Sequence, residues 1–145
     1  MKAILAIAAL ALAAGIMTGA GSAPAVAYVD HDKVAASLTK GGNLYKAPDL
    51  TVLGTHRSGP GQVEVHDKET DVFYVVSGEA TVVTGGMMVG GKQTEPGQWR
   101  GFEIRGGQTQ HVAKGDVMVI PAGIPHWFKE VPQSISYYVV KSIKP

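Results

Sequence analysis

The order of apolar and polar residues divides the chain into unlike parts. Residues 3–17 carry no charge and are interrupted only by Gly15. In 30–40, Val34 and Leu38 lie one turn apart on one face, Asp30 or Asp32 can cap the start, and Gly41-Gly42 stops the run; this predicts a short helix. Beyond it the rhythm shortens to that of strands. Residues 50–53 run apolar toward His56, Gln62-Val-Glu-Val-His66 alternates, and 72–76 is a continuous β-rich run ended by Ser77-Gly78. Residues 80–84 follow that turn so closely that the two runs predict a hairpin. Segments 108–113, 117–120, 125–128 and 135–140 bring the total to about eight or nine short strands. Many short strands with Gly/Pro turns favour a sandwich or closed barrel over an α/β fold. Residues 85–107 break the pattern with eight Gly and one Pro. This stretch is read as a long glycine-rich loop, either a lid or a surface insertion, with Met87, Met88, Val89, Trp99 and Phe102 to dock it.

The first part has the layout of a leader. Met1-Lys2 is a short basic start, the uncharged run follows, and Ala25-Val-Ala27 is an A-x-A cleavage signature. The uncharged run is shorter than the ~20 residues a membrane span needs. The expectation is a signal peptide over 1–27, cut after Ala27, which leaves no stable membrane anchor and sends the product to the periplasm or outside the cell. The remainder divides into a helical segment, 28–43, and a β domain, 44–145, that contains the 85–107 loop.

Composition narrows the chemistry. The chain has 13 Lys+Arg against 12 Asp+Glu, and losing Lys2 with the leader balances them. That excludes a basic nucleic-acid surface. There is no Cys, which excludes disulfides, zinc ribbons, thiol chemistry and a lipid-modified N-terminus. No Ser-His-Asp array is visible, and the glycine pairs of 85–107 lack the strand-to-helix context of a phosphate-binding loop.

Two segments carry the candidate chemistry. The first runs Glu64-Val-His66, then Asp71, then Gly78; the second has Gly115, then Pro121-Ala-Gly123, then His126. Together they resemble the two motifs of the cupin superfamily, of the small single-domain type. His66 falls on the second His of the family's His-x-His pair, Asp71 on its Glu and Gly78 on its Gly. Gly115, Pro121, Gly123 and His126 match the second motif at the expected spacing. Two positions depart from the pattern: Glu64 stands in place of the first His, and Asp71 is shorter than the family Glu. The resemblance implies an all-β, double-stranded β-helix (jelly-roll-like) barrel and a divalent metal held inside it by His and carboxylate side chains. Fold alone says little about the reaction, because the family spans enzymes, storage proteins and sensing modules.

Strand geometry bears on whether a site survives the two departures. Glu64 and His66, two residues apart, share a strand face, as do Asp71 and Phe73; His126 and Phe128 share another. Metal ligands would then be His66, His126, Asp71 and Glu64, a set of two imidazoles and two carboxylates that suits Mn, Fe, Ni or Zn. If Glu64 is not a ligand, it is the candidate general base. Phe73, Phe128, His111, Trp99 and Arg100 are candidates to contact substrate; His111 could equally face solvent, and Trp99-Arg100 could equally lie on the surface. The functional expectation is an exported metal cupin that acts on a small organic molecule as a dioxygenase, isomerase or lyase. The alternative is a non-catalytic small-molecule-binding or sensing barrel with a degenerate metal site. The apolar strands 72–76 and 135–140 exceed what one small core must hide, which suggests a homodimer formed through an exposed strand face.

Overall fold

The structure is a computed structural model and describes residues 25–145. The expected signal peptide therefore lies almost wholly outside the described residues. Among these, no helix is long and apolar enough to cross a membrane.

Helix α1 spans His31–Lys40. The Asp30 side chain accepts a hydrogen bond from the Lys33 amide at 3.0 Å, and Gly41 ends the helix at φ 75°. Its Val34, Ser37 and Leu38 face the sheet, and Ser37 packs so tightly on Gly54 that a Cβ there would lie 2.2 Å from the Ser37 hydroxyl.

Twelve strands follow: β1 Gly42–Lys46, β2 Leu50–Arg57, β3 Val63–His66, β4 Glu69–Thr84, β5 Met87–Val89, β6 Lys92–Glu95, β7 Gln98–Gly101, β8 Glu103–Arg105, β9 Gln108–Ala113, β10 Val117–Ile120, β11 His126–Glu130 and β12 Ile135–Ile143. Ten of them form one antiparallel sheet in the order β1-β2-β12-β4-β11-β3-β7-β6, with β9 and β10 also paired to β4. The sheet curls into a half-barrel of the double-stranded β-helix type. The core inside it comprises Phe73, Val75, Ala80, Val82, Val112, Ile120, Phe128, Ile135, Tyr137 and Val139.

Two expectations about local structure fail. Ser77-Gly78 is not a hairpin turn: residues 69–84 form one continuous strand whose first half pairs with β12 and β10 and whose second half pairs with β9 and β11. Gly78, at φ 76°, lets the strand kink between the two halves; a Cβ there would lie 1.9 Å from the Ser134 carbonyl oxygen. Nor is 85–107 a loop. Its glycines separate four short strands, β5 to β8. The β5–β8 pair lays Met88 and Ile104 over Val63, Val83 and Trp127 on the back of the sheet, forming a second small core. Strand β7 extends the sheet beside β3.

Candidate metal centre

Each candidate side chain enters the barrel by strand alternation. On β3, Val63 faces the rear core while Glu64 and His66 face inward. On β4, Asp71 and Phe73 face inward; on β11, His126 and Phe128 do. The pairings His126↔Glu64 and Lys141↔Asp71 bring these strands into register.

The donor atoms fall into two overlapping groups: Glu64, His66 and His126 converge, and His66, Glu69 and Asp71 form a second cluster that shares His66. His66 Nε2 lies 3.5 Å from Glu64 Oε2 and 3.5 Å from Asp71 Oδ2. His126 Nε2 lies 3.8 Å from the same two oxygens. Both Nε2 atoms are buried and have no hydrogen-bond partner. Their other ring nitrogens are occupied: His66 Nδ1 pairs with Gln98 Oε1, and His126 Nδ1 pairs with the Ile124 carbonyl at 3.2 Å. In the neutral imidazoles those acceptors take the Nδ1–H, which turns both Nε2 lone pairs toward the carboxylates. Donors about 2.1 Å from a tetrahedral ion stand about 3.4 Å apart, close to the imidazole–carboxylate spacings here. Two buried orphaned nitrogens facing two carboxylates fit a divalent cation of the Mn, Fe, Ni or Zn group. At Glu64 a charged donor thus stands where the family pattern has a neutral one.

Electrostatics agree with that reading. Burial works against the charge on Glu64, but His126, His66 and the Arg100 cation hold its carboxyl well below the usual range. Burial likewise opposes ionisation of Asp71, while His66 and Lys141 hold it low. With no ion present, burial would pull His66 down, but Asp71 and Glu64 push it up to about 9. A cation is wanted at this point, and a proton on His66 supplies one when a metal does not.

Several partners escaped sequence reasoning. Lys141 Nζ donates to Asp71 at 2.8 and 2.9 Å and lies 2.9 Å from Glu69 Oε2. Gln98 Nε2 donates to Glu69 Oε1 at 2.8 Å, so Gln98 connects His66 to the Glu69–Lys141–Asp71 cluster. Arg57, on the inward face of β2, donates from Nε to the Tyr137 hydroxyl at 2.8 Å. The alternation of Tyr137, Val139 and Lys141 on β12, and of Leu53, Thr55 and Arg57 on β2, was the available signal.

The candidates for substrate contact divide. Phe73 and Phe128 line an inner cavity of about 130 Å³ together with Glu64, Asp71, His126, Arg57, Tyr137 and Lys141. Arg100 lines a wider outer space of about 320 Å³ at the barrel mouth, its Nε 3.7 Å from Glu64. Trp99 does not join them: alternation on β7 turns it away, and its Nε1 donates to Asp67 at 3.0 Å. His111 is also outside, with 59% of its side chain exposed and its Nε2 3.3 Å from Glu79. On β9 it is Val112 that points into the core.

A family model described as Cupin matches residues 52–145. Among solved structures, KdgF from Halomonas sp. aligns with a TM-score of 0.51 at 17% identity, covering 72% of this chain and 79% of that one. A protein from Klebsiella pneumoniae with a double-stranded β-helix domain aligns at 0.50 and 18% identity, covering 70% and 69%. Peruvianin-I, a cysteine peptidase from Thevetia peruviana latex, aligns at 0.44 and 15% identity over 66% of this chain, which spans 51% of its length. The likenesses to KdgF and to the Klebsiella pneumoniae protein concern the fold. No curated protein matches the chain.

Proposed function

The chain belongs to the cupin family, and from that premise we propose that it is an exported metal cupin that transforms a small organic molecule by dioxygenase, isomerase or lyase chemistry. The observation that carries this reading is the pair of buried, unpartnered Nε2 atoms of His66 and His126 facing Glu64 and Asp71. His66, His126, Glu64 and Asp71 hold the ion. A divalent ion there would polarise a carbonyl or enolate oxygen, or activate water or dioxygen. Phe73 and Phe128 wall the inner cavity and limit water beside the reacting atoms. Arg100 stands at the mouth through which substrate enters. Glu64 acts as a ligand rather than as a general base, because a carboxyl held this low accepts protons poorly. The leader-like pattern of 1–27 supports export.

A second reading, a small-molecule-binding barrel without turnover, draws support from Lys141. Its bonds to both Asp71 oxygens partly satisfy that carboxylate without a metal. A homodimer is also part of the proposal. Tyr74, Val117 and Val119 form an exposed apolar strip on the outer sheet face, 47%, 61% and 57% exposed, and Val117 pairs directly with Tyr74.

Chelation followed by metal return tests the metal reading. Melting temperature should fall with the chelator and recover with one of Mn, Fe, Ni or Zn; 100-fold excess over Kd corresponds to about 2.7 kcal/mol. A melting curve indifferent to both would overturn it. Product formation from a panel of small molecules, as against binding without change, then separates enzyme from binder.

A further inference from the structure

We propose that the inner cavity is built for a short carboxylate anion with an apolar body, its carboxylate seated on Arg57; the inference deepens the metal-cupin reading and rests on it.

The cavity has two unlike walls. Leu53, Phe73, Phe128 and Val139 make one side apolar. At about 130 Å³ it is close to the ~150 Å³ of a cavity that admits benzene, so its occupant has about six heavy atoms or fewer. Arg57 is the cation on this wall, and it is held in place. Its Nε is bonded to the buried Tyr137 hydroxyl, and its guanidinium lies 4.9 Å over the Phe128 ring. Gly61 leaves it room, since a Cβ there would lie 2.7 Å from Nη1. Fixing Arg57 through Nε leaves the planar Nη edge for a ligand, the face that suits a carboxylate. Nη2 approaches Glu64 Oε1 no closer than 3.8 Å, beyond a hydrogen bond. Lys141, by contrast, spends its donors on Asp71 and Glu69.

Charge points the same way. The carboxylates Glu64, Glu69, Asp71 and Glu95 are matched by the cations Lys46, Arg57, Arg100 and Lys141 around the two spaces, which share Leu53, Glu64 and Lys141 in their walls. A divalent ion held by neutral imidazoles therefore leaves two positive charges uncompensated in a partly desolvated pocket, and a small anion offsets them. Glu64 turns Oε2 to the imidazoles and Oε1 to Arg57, so the guanidinium stands one carboxylate's breadth from the metal ligands. An anion there is within reach of both.

The test is calorimetric titration of the metal-loaded protein with propionate and with propionamide, which have the same shape but differ in charge, with metal content measured on every sample. Propionate should bind at least tenfold more tightly than propionamide. Arg57→Met should weaken propionate at least tenfold with metal content unchanged; Arg57→Gln is the second variant should Met destabilise the strand, and the same loss is expected. Tyr137→Phe, which frees Arg57 without removing charge, should weaken propionate severalfold and leave propionamide unaffected. Full metal content with propionate binding indifferent to Arg57, or equal binding of acid and amide, overturns this inference and leaves the metal reading standing. No metal, but propionate binding that depends on Arg57, overturns the metal reading and leaves the anion site.

Discussion

The two ends of the barrel interior share three strands, with β3 adding Glu64 and His66 at one of them, yet are held together by opposite means. Inward positions run Asp71, Phe73, Val75 on β4; His126, Phe128 on β11; and Lys141, Val139, Tyr137 on β12. At one end the register sets Phe73 beside Val139, and the rings of Phe128 and Tyr137 stack at 5.0 Å. That end is stabilised by apolar burial and needs nothing further. At the other end, two strand steps away, desolvated carboxylates and imidazoles crowd together and are stable only with counter-charges or a cation. Folding and ligation are thus assigned to opposite ends of the same strands, so each can be damaged with little effect on the other.

The largest effect should come from the apolar end. Ile135 is fully buried there, and Ile135→Ala should cost roughly 2–5 kcal/mol in denaturant unfolding while the folded protein still takes up metal. An equal loss of metal affinity would show the two ends to be coupled. Next is the polar end. Gln98→Leu removes the acceptor that orients His66 and should reduce metal affinity about 10–100-fold, with little change in the stability of the chelated protein. The most gradual effect is a pH dependence of the chelated protein, which one proton limits to about 1.4 kcal/mol per pH unit. His66 binds its proton more tightly folded, at about 9, than unfolded, at about 6.5. Its contribution is therefore fully present below about pH 6.5 and is lost as pH rises through about 9. Denaturation midpoints should decline over that window and flatten in His66→Gln. Metal affinity should rise over the same window, since the metal displaces that proton.

Legibility in the sequence follows the same division. The strands were visible where alternation or a β-rich apolar run persisted for four residues or more, as in 63–66 and 117–120. The inward face of Glu64, His66, Asp71 and His126 followed from period two and the two motifs. Residues 85–107 misled because their strands are only three or four residues long between glycines, too short for periodicity to register. The hairpin at Ser77-Gly78 misled because a positive-φ glycine serves a strand kink as well as a turn. Trp99 and Arg100 are adjacent in sequence, but neighbouring strand residues face opposite ways, and only Arg100 reaches the mouth. Gln98, Lys141 and Arg57 are ordinary residue types on strands distant in sequence. Only the fold places them beside His66, Asp71 and Tyr137.

The central claim is that His66 and His126 hold a metal with Glu64 and Asp71. Elemental analysis of the untagged protein, beside His66→Ala and His126→Ala, tests it most directly. The account predicts near one equivalent of Mn, Fe, Ni or Zn in the unaltered chain and none in either variant, with both variants folded. Absence of metal from the unaltered chain after reconstitution, or its persistence in both variants, would contradict it.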